Sequence, residues 1–279
     1  MKYIFSILFI ISSFILNAQD FYINLQTGNG FPTEAGQTNY YNIDIVDNVE
    51  TREIITGGFG EGLYFRGNFG YNYSSAVSFE FGFNYLLGKT IINEEDYNFF
   101  IQNNIIYNEI DYVRNIRAFL FTPQLVIKIP SKSTLKPYIK TGVVVGTFMK
   151  SNFESNFLAE GTNGSTTIDI TRVLDGGTPF GFTAALGTTY DLNDKLSLIA
   201  NFTLLNMSYR PYKSTVVKYM RNGEDELNNL TLRERETLFN NKVEIDSNVM
   251  PNDNEVNRAL PISLPMSNVS FNVGLQVNL

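Results

Sequence analysis

The sequence predicts an all-β chain that closes into a single antiparallel transmembrane β-barrel of about eight strands, with short periplasmic turns and long extracellular loops. Three observations predict it. Apolar and polar residues alternate with period two in segment after segment, the connections between those segments run alternately long and short, and an export-type leader opens the chain.

The leader comes first. Lys2 precedes an apolar run from Tyr3 to Leu16, broken only by serines, and Asn17-Ala18-Gln19 follows. That layout is a secretory signal peptide, expected over 1–18 and cut after Ala18, with the barrel domain over 19–279. The run is shorter than the roughly 20 residues that a helix needs to cross a bilayer. No later stretch is long and apolar enough either, so a membrane form of this chain must cross with strands.

The clearest strand is Val77 to Tyr85, in which every odd position is apolar or aromatic and every even one small or polar. One face meets something greasy and the other something polar. Leu63, Phe65, Phe69 and Tyr71 repeat the pattern against Gly62, Arg66, Asn68 and Gly70, and Phe180 to Tyr190 repeats it again. Further strands are expected at about 20–27, 115–129, 136–149, 195–210 and 267–279, which makes eight. Their inward faces read as Gly, Ser, Thr and Asn, small enough for an eight-stranded interior.

Between these strands the long connections are 28–58, 88–114, 150–177 and 211–266. The short ones hold turn residues, as in Asn72-Tyr73-Ser74-Ser75, Pro130-Ser131-Lys132-Ser133 and Asp191-Leu192-Asn193-Asp194. A barrel threaded through a membrane sorts its loops in this way, whereas a soluble sandwich has no reason to. Aromatic residues, 23 Phe and 16 Tyr with no Trp, supply the lipid-facing surface that such a barrel needs.

Composition excludes several functions. There is no cysteine, hence no disulfide framework, thiolate metal site or cysteine nucleophile. There is no histidine, which removes Ser-His triads and His-ligated zinc together. The net charge of -7 rules against nucleic acid as a partner. An enzyme is therefore not expected, nor a cofactor. The acidic groups Asp44, Asp47 and Glu50, then Glu94, Glu95 and Asp96, then Asp246, Asp253 and Glu255 lack the spacing of a calcium loop and read as solvated loop charge. The helix formers between Asp225 and Asn240, with Leu227, Leu230, Glu234 and Leu238, predict a short surface helix in the last long loop.

Two sets of residues stand out. Strand parity turns Arg66, Glu80, Lys128 and Lys140 inward, so that Glu80 is expected to bridge Arg66 and at least one lysine and to close the bore to ions. The chain stops inside its last strand, where Asn272, Gly274, Val277 and Leu279 resemble the C-terminal assembly signal of outer-membrane proteins, with Leu279 in place of the usual aromatic.

With the export signal ending Asn17-Ala18-Gln19, the strand entry Lys136 to Gly142 and the segment Ala185 to Leu192, the chain resembles the small outer-membrane β-barrel proteins of the OmpX and OmpA-barrel type, in the style of those of Bacteroidota. The resemblance implies a fold and an outer-membrane location, with lipid and the barrel-assembly machinery as partners, and brings no active site. The function expected is non-enzymatic, at the cell surface or in the envelope structure, with acidic extracellular loops open to a protein or glycan partner. A small porin-like diffusion channel and an accessory subunit of a larger membrane complex are the alternatives.

Overall fold

A computed structural model describes residues 20–279 apart from 34–40, 47–48, 55–57, 102–103, 132, 162–163, 245–249 and 251. The expected leader over 1–18 lies outside the described residues, as do Asp47 and Asp246 of the acidic groups. Eight strands form the barrel: β1 Phe21–Pro32, β2 Gly62–Asn72, β3 Val77–Gly88, β4 Asn104–Lys128, β5 Leu135–Gly161, β6 Phe180–Asp191, β7 Leu196–Tyr209 and β8 Asn268–Asn278. Each pairs antiparallel with its neighbour in sequence, and β8 returns to β1 from Tyr22↔Asn278 to Pro32↔Asn268, which closes the wall. Closure leaves the barrel no free edge, so its wall presents no row of unpaired backbone groups to lipid.

The alternation seen in the sequence is the alternation of the wall. On β3, Phe79, Phe81 and Phe83 point out while Ser78, Glu80, Gly82 and Asn84 are buried inside. Outside, aromatic rings lie against one another across strands: Phe21 on Phe69, Phe83 on Phe121, Tyr85 on Phe119 and Phe202 on Phe271, at 4.6 to 5.4 Å between centroids. An outward face this apolar suits hydrocarbon and not water.

At the far end from the short turns the chain departs from expectation. The connections 88–114 and 150–177 are not irregular loops. β4 and β5 run on for 25 and 27 residues, and their outer halves pair from Arg117↔Lys150 to Tyr107↔Glu160. Ile91–Ile101 flanks β4 on one side and Gly164–Asp175 flanks β5 on the other. The sheet then continues through Lys213–Arg221 and Glu236–Phe239. The hinge between barrel and extension is a bulge: β5 has one residue more than β4 between Arg117/Phe119 and Lys150/Thr147. Phe148 takes that place with φ +49 and lies almost fully exposed. Inward parity on β5 switches there from even residues such as Val144 to odd ones such as Met149 and Ser151.

The helix expected between Asp225 and Asn240 is one turn, Leu232–Arg235, after a 3₁₀ turn over Leu227–Asn229. Thr231 and Glu234 cap each other, and hydrogen bonds from the Thr231 backbone and hydroxyl hold the Glu234 carboxyl below its usual range. Thr237 and Leu238 then pair with Ser214 and Lys213, so strand pairing ends the helix where composition alone would extend it.

Candidate functional site

The inside of the barrel collects polar and charged groups away from lipid, and it is built in four layers. The first, at the short-turn end, is a water-accessible vestibule of about 860 Å³ bounded by the three tight turns and the end of β8. Lys128 leans into it, its ammonium 4.9 Å from the centre of the Tyr22 ring and donating to Asn72 Oδ1 at 2.5 Å.

The second layer is a buried ion pair. Lys140 Nζ donates to Glu80 Oε2 at 2.6 Å and to Oε1 at 2.9 Å, with side-chain exposures of 5% and 2%. Oε1 also accepts from Tyr22 OH at 2.8 Å and Asn24 Nδ2 at 3.2 Å. Four donor contacts on one carboxylate are what a buried charge requires. Two tyrosines reach this level only because glycines face them. A Cβ on Gly70 would sit 2.1 Å from Cζ of Tyr22, and one on Gly187 would sit 2.5 Å from the Tyr138 hydroxyl. Gly70→Ala is therefore expected to push Tyr22 off Glu80 and lower stability by about 1–3 kcal/mol, read by urea unfolding in lipid vesicles. An unchanged midpoint would mean that the ring has room to move aside without loss.

The third layer consists of amides and hydroxyls. Gln26 donates to Asn24 at 3.0 Å, Asn201 to Gln26 at 2.7 Å, and Asn272 to Asn201 at 2.9 Å, while Asn68 donates to Asn24. Arg66 belongs here. The expectation that Glu80 bridges Arg66 is corrected: Arg66 Nη2 donates to Ser270 Oγ at 2.9 Å and its guanidinium lies over Tyr64 at 4.8 Å. Of the bases expected around Glu80, Lys140 alone makes an ion pair with it among the described residues, because Lys128 turns to Asn72 and Arg66 stands a layer higher. Between these side chains remains a space of about 10 Å³, no larger than a single water.

The fourth layer corrects a second expectation, that the interior holds small residues throughout. In the outer part of the bore Tyr64, Leu86, Leu120, Val144, Leu205, Met207 and Tyr209 form one buried apolar cluster. Phe59, Leu264 and Met266 enter it from the long connections, pinned by Phe59 N–H to Pro265 O at 3.0 Å and Met266 N–H to Met207 O at 2.9 Å. Parity could have placed the strand residues, and Tyr22 and Asn24 of the charge layer as well. No periodic signal marks Phe59 or Met266.

The four residues of the C-terminal motif divide between the two faces. Asn272 is fully buried in the amide layer, Gly274 faces inward so close to β1 that a Cβ would meet Leu25 O at 1.9 Å, and Val277 and Leu279 are exposed on the outer side. Among the described residues no three acidic side chains are grouped to hold a metal ion.

A closed eight-stranded barrel with an apolar outer belt and a polar, filled interior defines the class of outer-membrane β-barrels. The family model of the outer membrane protein β-barrel domain matches residues 6–233, and the chain belongs to that family. No curated protein matches it. Among solved structures, the crystal structure of the outer membrane protein OprG from Pseudomonas aeruginosa is similar, with a TM-score of 0.40 and 12% identity over 92% of this chain and 94% of that one.

Proposed function

We propose that the protein is a non-enzymatic outer-membrane barrel that serves as an anchor, its work being done by the extracellular β-extension as a surface for interaction with a protein or glycan. The observation that carries this reading is the filled bore. A charge layer, an amide layer and an apolar cluster lie in series across it, and the space among the amide side chains, about 10 Å³, admits a single water. Porins that conduct have about twice as many strands and an aqueous lumen. The absence of histidine from the whole sequence speaks against the acyl-transfer and hydrolytic chemistry found on some barrels.

The extension is hydrogen-bonded sheet, pre-ordered for binding, in place of a set of mobile loops. In this reading the acidic residues of the long connections, such as Glu154, Asp169 and Glu224, set the electrostatic character of the outer surface. Asn272, Gly274, Val277 and Leu279 serve the assembly machinery before the barrel closes. The test has two parts. Purified protein in planar bilayers is expected to be electrically silent, and crosslinking on intact cells is expected to capture a partner through the extension and to fail when 91–101 and 164–175 are replaced by short turns. Stable ion conductance by the wild-type protein would overturn the anchor reading.

A further inference from the structure

The vestibule at the short-turn end has no part in that reading, and of the four lysines and four carboxylic residues that line it not all are paired. Lys140 is paired with Glu80, and Lys136 with Asp191. Lys128 has no carboxylate within ion-pair distance among the described residues. Its contacts are the neutral Asn72 oxygen and the face of Tyr22. An ammonium has three protons to donate, and a second buried hydroxyl, Ser78, already shares the same Asn72 oxygen at 2.8 Å. On β4, therefore, a cation faces the cavity with donors to spare.

The other side of the mouth has the opposite sign. Asp20 opens β1 and Asp194 sits in the turn before β7, on either side of the end of β8. That end is tied down by Asn278 N–H to Lys195 O and Leu279 N–H to Phe21 O, both at 2.9 Å. Asp20 and Asp194 both line the cavity, and neither is in an ion pair among the described residues. Lys195 alone offsets them on that lip. β4 lies opposite β8 in order around the barrel, but the Lys128 ammonium reaches to Asn72 on β2 and to the Tyr22 ring on β1, the strand that Asp20 precedes, so the acid that stands away from it across the space of about 860 Å³ is Asp194, in the turn between β6 and β7. That volume falls in the range of small-ligand pockets.

We propose that this vestibule binds short zwitterionic peptides from the periplasm, with the terminal carboxylate on Lys128 and the terminal ammonium on the Asp194 side of the lip. A monovalent anion would use the first charge and leave the second unanswered. A cation would meet Lys128 at close range. A short peptide bears both charges at its ends, and its backbone can meet the hydroxyl and amide groups of the wall, such as Ser131, Gln276 and Asn278. The tyrosine faces of the cavity give apolar side chains a surface to lie on.

Trialanine is the probe, titrated calorimetrically into the full barrel reconstituted in nanodiscs, beside its C-terminal amide, its N-acetyl form and sodium acetate. Saturable binding of trialanine is expected, weakened about tenfold by amidation, because one charge-assisted contact is lost, and by a smaller factor by N-acetylation. Lys128→Met is expected to reproduce the amidation loss and to bind free acid and amide alike, while Lys128→Arg keeps the preference. Should Lys128→Met fail to fold, seen as loss of the heat-modifiable band on a gel, the comparison of free acid with amide on the wild-type protein still decides. Equal binding of acid and amide overturns the proposal. So does acetate competing as well as trialanine, or an absence of saturable binding up to about 10 mM.

Discussion

Glu80→Ala is expected to destabilise the folded barrel by about 3–5 kcal/mol, because it leaves the Lys140 ammonium buried without its counter-charge. The side chain of Lys140 is 5% exposed, and its two contacts to the Glu80 carboxylate are the only hydrogen bonds its ammonium makes among the described residues. The same substitution also removes the acceptor of Tyr22 OH and Asn24 Nδ2. Unfolding by urea in lipid vesicles measures the loss. The double variant Glu80→Gln with Lys140→Met is expected to recover most of it, since removing both charges removes the desolvation cost of each. The single variant is expected to stay electrically silent, because the apolar cluster closes the bore independently of the ion pair. A single variant as stable as the wild type would mean that Lys140 relaxes into the vestibule and that the pair adds nothing to the fold.

Phe83→Arg is the second large effect. Phe83 stands near the middle of β3, is 65% exposed and touches Phe121 on the outer face. An arginine facing lipid near the midplane costs about 2–4 kcal/mol. Phe83→Leu keeps the face apolar and is expected to shift the unfolding midpoint little. If the arginine is tolerated as well as the leucine, this face of β3 does not meet hydrocarbon.

How much of this was legible beforehand depends on where each residue sits relative to the membrane. Within the barrel the outward face is apolar, so Phe79, Phe81 and Phe83 betray β3 directly and all eight strands could be placed. Above it the solvent changes and the rule inverts: Tyr112, Phe153 and Leu174 lie on the face that continues the bore, while Glu154 is exposed. On β5 the bulge at Phe148 adds a parity switch to that inversion, and a period-two reading stops there. The interior charges were found by parity, and so was a lysine on Glu80, yet the partner of Arg66 was not. Whether Arg66 or Lys140 meets Glu80 depends on the stagger of neighbouring strands, and stagger is fixed by closure of the whole ring. Parity alone turns Tyr22 inward, but that its ring has room to reach Glu80 depends on Gly70, on another strand.

The long hairpin of β4 and β5 has a mechanical consequence. At about 3.3 Å per residue, a 27-residue strand has a contour near 90 Å, of which about 9 to 11 residues suffice to cross the bilayer. The remainder is a ladder of backbone hydrogen bonds braced on both sides by further strands, and so resists bending far better than a loop of equal length. The protein thus behaves as a mast of set height stepped in the membrane. Whatever meets its tip does so at a set stand-off from the lipid headgroups, and a sideways force on the tip reaches the barrel through β4 and β5, the second of which carries the bulge at Phe148.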